Sequence, residues 1–201
     1  GIAAILDGGL KTTVPSRPPR AIILDTEILA AAPAALTCAG LGDLLSKPVS
    51  DSDWWLANEL EGTGYSPVPS EIVDAAVAEA SSAARGLAAR DPGAHGALGR
   101  ALVLSGVAMV VAGSSSPASG GEHLLSHLWD MENLNTGRST NLHGAQVGVS
   151  TCISAALYQR LIRLETPVFT DPPSWDKEAA RIRDEHGALA EVVGPQAQRK
   201  H

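Results

Sequence analysis

From Glu27 onward, apolar residues recur at helical spacing, and this periodicity constrains the fold more than any other feature of the sequence. Alanine and glycine are abundant, whereas the 201 residues include one Phe and two Tyr. Small residues favour closely packed helices over a β-sandwich, in which β-branched and aromatic side chains dominate. The sequence therefore predicts a mainly α fold, a multi-helical domain preceded by a short β segment.

Residues 1–28 form the only β-like section of the sequence. Residues 2–6 and 10–14 fit short strands joined by a turn at Gly8-Gly9, and the apolar run at 21–24 fits a third strand. We divide the chain accordingly into a β segment over 1–28 and an all-helical domain over 29–201. Because the chain starts at Gly1 inside an expected strand, we also expect a further part of the natural protein upstream.

Capping residues and breaks set the predicted helix boundaries. Asp51, Ser70 and Ser119 are the expected N-caps, and Ser119 is predicted to form a capping box with Glu122. The helix over 94–112 is apolar around most of its surface, so we expect it to be central and buried. The predicted helices span residues 33–47, 51–60, 70–89, 94–112, 119 onward, 143–164 and 175–193.

Composition argues against several classes of function. The net charge is −7 and no basic run occurs before the last few residues, so we set nucleic-acid binding aside. The most apolar run, residues 101–113, is shorter than the roughly 20 residues that a bilayer span needs, and the N-terminus has no signal-peptide pattern. We therefore expect a cytoplasmic protein without a membrane span. Cys38 and Cys152 have no CxxC spacing and are expected to be reduced and buried.

Three histidines within 21 positions carry the chemical signal. His123 and His127 lie four residues apart and so share one helix face, while His143 opens the next predicted helix. Imidazole is the commonest nitrogen ligand for zinc and similar ions, although most histidine pairs at this spacing are surface or core residues. Asp43, in an apolar segment with two nearby glycines, is the candidate carboxylate. The pattern predicts an imidazole cluster that faces a cleft and binds a divalent metal ion.

Three blocks of sequence, in this order, resemble the sn-glycerol-1-phosphate dehydrogenase family. They read GDLLSK at 42–47, with Asp53-Trp54 following; GSSSPASGGEHLLSH at 113–127; and LHGAQVG at 142–148. The resemblance runs from about residue 7 to residue 164. That family belongs to the superfamily of iron-containing alcohol dehydrogenases, glycerol dehydrogenases and dehydroquinate synthases.

The resemblance implies an all-helical metal domain that follows an N-terminal nucleotide-binding domain. Its metal ligands would be Asp43, His123 and His143, with His127 beside the nicotinamide and substrate as a proton-relay or positioning group. The reaction implied is the NAD(P)H-dependent reduction of dihydroxyacetone phosphate to sn-glycerol 1-phosphate. Residues 1–28 lack a Gly-rich strand-to-helix turn, so they would be closing strands of the nucleotide-binding domain, and NAD(P) would bind upstream of Gly1.

Two imidazoles and one carboxylate suit zinc, with nickel and iron as alternatives. For a phosphorylated substrate, we expect donors in the free amides of Gly120 and Gly121 at a helix N-terminus and in Lys47, with Arg138 as a further candidate. At two positions the chain departs from the family pattern, since Ser116 replaces an arginine and Ala145 a glutamate.

Two other functions stay open at this point. The chain could be a stand-alone metal-dependent lyase or cyclase that has lost nucleotide binding, or a non-catalytic protein that serves a partner. An exposed apolar surface would also fit self-association, so a homo-oligomer is a further prediction.

Overall fold

The computed structural model describes residues 2–7, 10–166, 168 and 171–200. Within these residues, two strands and ten α-helices follow one another, with a 3₁₀ turn at Gly187–Leu189 between the last two helices. The mainly α prediction is confirmed. The elements are β1 (Ile2–Asp7), β2 (Leu10–Pro15), α1 (Thr26–Ala31), α2 (Ala34–Leu44), α3 (Lys47–Glu61), α4 (Pro67–Ser82), α5 (Ala84–Ala88), α6 (Pro92–Ala112), α7 (Gly121–Asn135), α8 (His143–Ile162), α9 (Trp175–His186) and α10 (Ala190–Lys200).

Strands β1 and β2 form an antiparallel hairpin in which Ile2 pairs with Pro15 and Asp7 with Leu10. The turn predicted at Gly8-Gly9 lies outside the described residues. The third strand predicted over 21–24 is wrong, because these residues form no strand and Leu24 lies against Gly99 of α6 instead. The boundary drawn at residue 28 falls inside α1, whose N-terminus is capped by Asp25.

Two predicted helix caps serve a different purpose. Helix α3 begins at Lys47 and α4 begins after Ser66, so Asp51 and Ser70 lie inside helices. Prolines in the first turns of both helices explain the earlier starts, because a proline there costs no backbone hydrogen bond. The Ser70 hydroxyl instead donates to Asp51, which joins α3 to α4.

Helix α6 packs against α1, α2 and α4, and its N-terminal half is buried, as predicted. Its C-terminal half is not, since Val107, Val110 and Val111 are exposed. Helix α6 is long and apolar enough to cross a membrane, but the buried core helices of other proteins meet the same criterion of length and composition. The contacts of α6 with three other helices are those of a core helix. Small residues dominate the main core cluster, which comprises Leu44, Ala76, Ala80, Leu87, Ala94, Leu98 and Ala101.

The two cysteines are free, but the prediction that they are buried is wrong. Cys38 of α2 and Cys152 of α8 are both exposed. The buried face of α8 is formed by Gly144, Val147 and Ser150, which leaves Cys152 on the outward side.

Helices α2 and α8 cross with their backbones in contact. A Cβ atom added at Gly144 would lie 1.9 Å from the carbonyl oxygen of Ala39, and one added at Gly42 would lie 2.5 Å from that of Gly144. Both distances are shorter than any van der Waals contact, so glycine is required at each position. The crossing places Asp43, next to Gly42, beside His143, next to Gly144.

We expect Gly144→Ala to lower the free energy of unfolding by about 3 kcal/mol or more, because the new methyl group would overlap a backbone carbonyl. Gly106→Ala, in the middle of α6, is the control, since a Cβ there meets no atom of the described residues within 4 Å apart from the neighbouring backbone of its own helix. It should stabilise the protein by up to about 1 kcal/mol through helix propensity. Denaturant unfolding followed by circular dichroism measures both changes. Equal stabilities of the two variants would contradict the backbone contact.

Candidate metal centre

The structure brings together the three residues implied as ligands. Asp43 lies at the end of α2, His123 in the first turn of α7, and His143 at the start of α8. Their ligand atoms all lie within 4.8 Å of one another. Oδ2 of Asp43 is 3.7 Å from Nε2 of His143 and 4.0 Å from Nε2 of His123. Ligands about 2.1 Å from a tetrahedral ion lie about 3.4 Å apart. To hold a divalent ion, the two pairs that include Asp43 would close by a few tenths of an ångström, and no pair of ligand atoms by more than about 1.4 Å.

Glu122 holds the ring of His123. Its side chain is completely buried, and Oε1 accepts hydrogen bonds from Nδ1 of His123 at 2.7 Å, Oγ of Ser50 at 2.6 Å and the amide of Gly120 at 3.0 Å. Burial raises the pKa of Glu122, but these hydrogen bonds outweigh it and hold the pKa below its usual value. The ionised carboxylate keeps the proton of His123 on Nδ1, which leaves Nε2 free to bind a metal.

Asp43 is also held as a carboxylate. Burial raises the pKa of Asp43, but the ammonium group of Lys47, together with His123 and His143, has the larger effect. The pKa of Asp43 is therefore lower than its usual value. Nζ of Lys47 donates to Oδ1 of Asp43 at 2.6 Å and to the carbonyl oxygen of Ala118 at 2.8 Å. The Lys47 side chain is almost fully buried and borders the same cleft as the ligands. It is thus a positive charge at the predicted substrate side of the site.

His127 lies in the cleft beside the trio. Its ring centroid is 6.4 Å from that of His123 and 6.0 Å from that of His143, with which it is stacked. Burial and the charges of Lys11, His123 and His143 lower the pKa of His127 to about 4. At neutral pH the ring is therefore uncharged and can both donate and accept a hydrogen bond. His127 is not part of the cluster of Asp43, His123 and His143, which could hold an ion among the described residues.

The start of α7 differs from the prediction. The N-cap is Gly120, and no side chain of the cap residue bonds there, so the capping box of Ser119 and Glu122 is wrong. The amides of Gly120 and Gly121 are not free, because they donate to Glu122 and to Oδ2 of Asp53. Neither glycine lines the cleft. The two amides are therefore not available to donate to a phosphate group, as the prediction required.

The cleft measures about 500 Å³ and combines helices with the hairpin. This volume lies in the usual range for small-molecule sites. Arg138 does not reach the cleft and instead borders a separate groove with Trp129 and Asn141. The residues lining the cleft include Ile2, Ala4 and Thr13 of the hairpin, Ser105, Gly106 and Met109 of α6, and Asp43, Lys47, His123, His127 and His143.

Sequence reasoning missed four polar residues that surround the site, namely Lys11, Ser126, Asp130 and Gln146. The last three are buried and hydrogen-bonded in series, since Ser126 donates to Gln146 and Gln146 donates to Asp130. A signal for two of them was present: Ser126 and Gln146 stand inside the two histidine-bearing blocks. Nothing in the sequence pairs Lys11 with Asp130, which is 119 residues away.

Fold and site together define a mainly α chain with a candidate divalent-metal centre in an open cleft. No protein-family model matches the chain. It is 35% identical over 167 residues to a glycerol-1-phosphate dehydrogenase (NAD(P)+) from Halalkalibacterium halodurans, which covers 83% of the chain and 42% of that relative. The proteins of the same name from Geobacillus thermodenitrificans and Natronomonas pharaonis are 39% and 38% identical, each over 79% of the chain and over 39% and 44% of their own lengths.

The chain is thus a relative of the glycerol-1-phosphate dehydrogenases, which confirms the predicted resemblance. It spans 39–50% of the length of the curated relatives that it matches.

We expect purified chain to bind about one divalent ion, because three ligand atoms converge and the cleft leaves a fourth position open. Loss of any one of the three ligands, in Asp43→Ala, His123→Ala or His143→Ala, should weaken zinc binding by more than about 100-fold. That factor is the upper range for loss of a residue that only hydrogen-bonds to a ligand. His127→Ala and Asp74→Ala, the latter removing an exposed carboxylate on α4, should bind zinc like the wild type. Isothermal titration calorimetry and elemental analysis measure these effects. Weakened binding in His127→Ala comparable to that in His123→Ala would overturn the assignment of ligands.

Proposed function

We propose that this chain is the metal-binding helical part of an NAD(P)-linked glycerol-1-phosphate dehydrogenase, which interconverts dihydroxyacetone phosphate and sn-glycerol 1-phosphate. The observation that carries the proposal is the convergence of Asp43, His123 and His143 at one cleft. Its support is that this cleft lies in a chain similar to dehydrogenases of that name over about four fifths of its length.

The ion proposed is zinc, with nickel and iron as alternatives that the same ligands accept. Both imidazoles would bind through Nε2, because Nδ1 of His123 faces Glu122 and Nδ1 of His143 faces Ser126. When bound, a divalent ion supplies a Lewis acid that polarises the carbonyl group of the substrate.

The side chains of the cleft would supply the other parts of the reaction. Reduction of a carbonyl group adds a hydride to carbon and a proton to oxygen, and the hydride would come from NAD(P)H. His127, uncharged and beside the ligands, would relay or position the proton. Lys47 has one N–H beyond its bonds to Asp43 and Ala118, and it would donate that N–H to the polar substrate.

The nucleotide would be bound by a part of the enzyme outside this chain. The curated relatives carry NAD(P)+ in their names, and the matching segment covers 42% and 40% of the lengths of two of them. Phosphate recognition would rest on Lys47 rather than on the amides of Gly120 and Gly121, since these amides are already engaged.

The activity is tested on the longest natural protein that contains this chain, loaded with zinc and assayed for oxidation of NADH and NADPH by dihydroxyacetone phosphate. We expect His127→Ala to lower kcat by about 10²–10⁴-fold, as for loss of a proton-transfer group, while zinc content stays unchanged. His186→Ala, on α9 and away from the cleft, is the control and should keep wild-type kcat.

Wild-type kcat in His127→Ala would contradict the proton role. A zinc-loaded wild type that turns over no nucleotide would contradict the dehydrogenase and favour the metal-dependent lyase or cyclase.

A further inference from the structure

We propose that Lys11 of the hairpin is a positioning residue for His143, acting through a buried chain of hydrogen bonds formed by Asp130, Gln146 and Ser126. The inference rests on the proposed function in that His143 is taken as a metal ligand. It concerns which of the two nitrogens of that ring carries the proton.

The first link fixes the role of the Ser126 hydroxyl. Its oxygen lies 3.0 Å from Nδ1 of His143 and 2.7 Å from Oε1 of Gln146. An amide oxygen can only accept, so the single hydrogen of Ser126 is donated to Gln146. The hydroxyl oxygen then accepts from His143, whose proton is placed on Nδ1. Nε2 is left with its lone pair, on the side of Asp43.

The second link fixes the orientation of the Gln146 amide. Its Nε2 donates to Oδ1 of Asp130 at 3.0 Å, and a carboxylate can only accept. A rotated amide would turn its oxygen towards this carboxylate and its NH₂ group towards Ser126. Ser126 would then donate to His143 and move the ring proton to Nε2, the nitrogen that a metal needs. The charge on Asp130 therefore sets the direction of every bond up to His143.

The third link is the ion pair between Lys11 of β2 and Asp130 of α7. Only 12% and 10% of the two side chains are exposed, so each charge compensates the other in a poorly solvated place. Gln146 and Ser126 are buried as well, so water cannot readily replace a missing partner. Without Lys11, the Asp130 carboxylate would lose the cation that holds it in this poorly solvated place, and it could turn away from Gln146. The orientation of Gln146 would then no longer be fixed.

The direct test is the tautomer of His143 in the full chain labelled with ¹⁵N-histidine and free of metal, read at neutral pH from long-range ¹H–¹⁵N correlation spectra. His143→Gln identifies its signals. We expect the Nδ1–H form in the wild type and a mixture of both forms in Lys11→Met. Lys11→Arg restores the cation and should restore the wild-type pattern, and Lys177→Met, which removes an exposed lysine of α9, should not change it.

Gln146→Met interrupts the chain between the ion pair and His143 while leaving the ion pair in place. It should also give a mixture of tautomers, so the inference is tested even if Lys11→Met does not fold. In both variants we expect the dissociation constant for zinc, measured by calorimetry, to rise about 10–100-fold.

An Nε2–H tautomer in the wild type, or a wild-type tautomer and zinc affinity in folded Lys11→Met or Gln146→Met, would overturn the inference. The spectra also separate this inference from the proposed function. A wild type that shows the Nδ1–H tautomer but binds no zinc would contradict the metal site, whereas the positioning of the ring would stand.

Discussion

The contact between the backbones of α2 and α8 is the constraint on which the candidate site depends. The two helices are so close that a side-chain methyl group at position 42 or 144 would overlap a backbone carbonyl oxygen of the other helix. Glycine at both positions permits this close approach. Each glycine is adjacent in sequence to a proposed ligand. The close packing of the two helices therefore also brings the two ligands together. The glycines offer no ligand atom, yet the separation of Asp43 and His143 is set by them.

Around this crossing, the fold accommodates buried charge by giving each carboxylate its own partners. Asp43 faces Lys47, Glu122 accepts three hydrogen bonds through one oxygen, and Asp130 faces Lys11. Burial without such partners would favour protonation, and a protonated Asp43 would be a poor ligand. The network thus has an electrostatic role as well as a structural one, because its contacts hold the pKa values of Asp43 and Glu122 below their usual range.

The sequence predicted the mainly α fold, the hairpin and the three converging residues, because these follow from local periodicity and from recognisable blocks. It failed where the outcome depends on tertiary contacts. The run at 21–24 has strand-like composition but packs on α6, and Asp51 and Ser70 resemble caps but bond to each other. The amides of Gly120 and Gly121 were expected to be free at a helix N-terminus, whereas Glu122 accepts from Gly120 and Asp53 reaches Gly121 from another helix. The contacts of Leu24 with Gly99 and of Asp53 with Gly121 join residues more than 60 positions apart, which no local pattern reveals.

The bond from Lys47 to Asp43 has a consequence for coordination chemistry. A carboxylate can bind a cation through both oxygens and so fill two positions around it. Here Lys47 engages Oδ1 at 2.6 Å, and Oδ2 is the oxygen that faces both imidazoles. Asp43 would thereby bind an ion through one oxygen only, and the three proposed ligands would offer three donor atoms among the described residues. In a bound ion, the position that the second oxygen would have filled would be open to exchange between substrate and solvent. The bond from Lys47 would therefore favour an open site over a closed structural one.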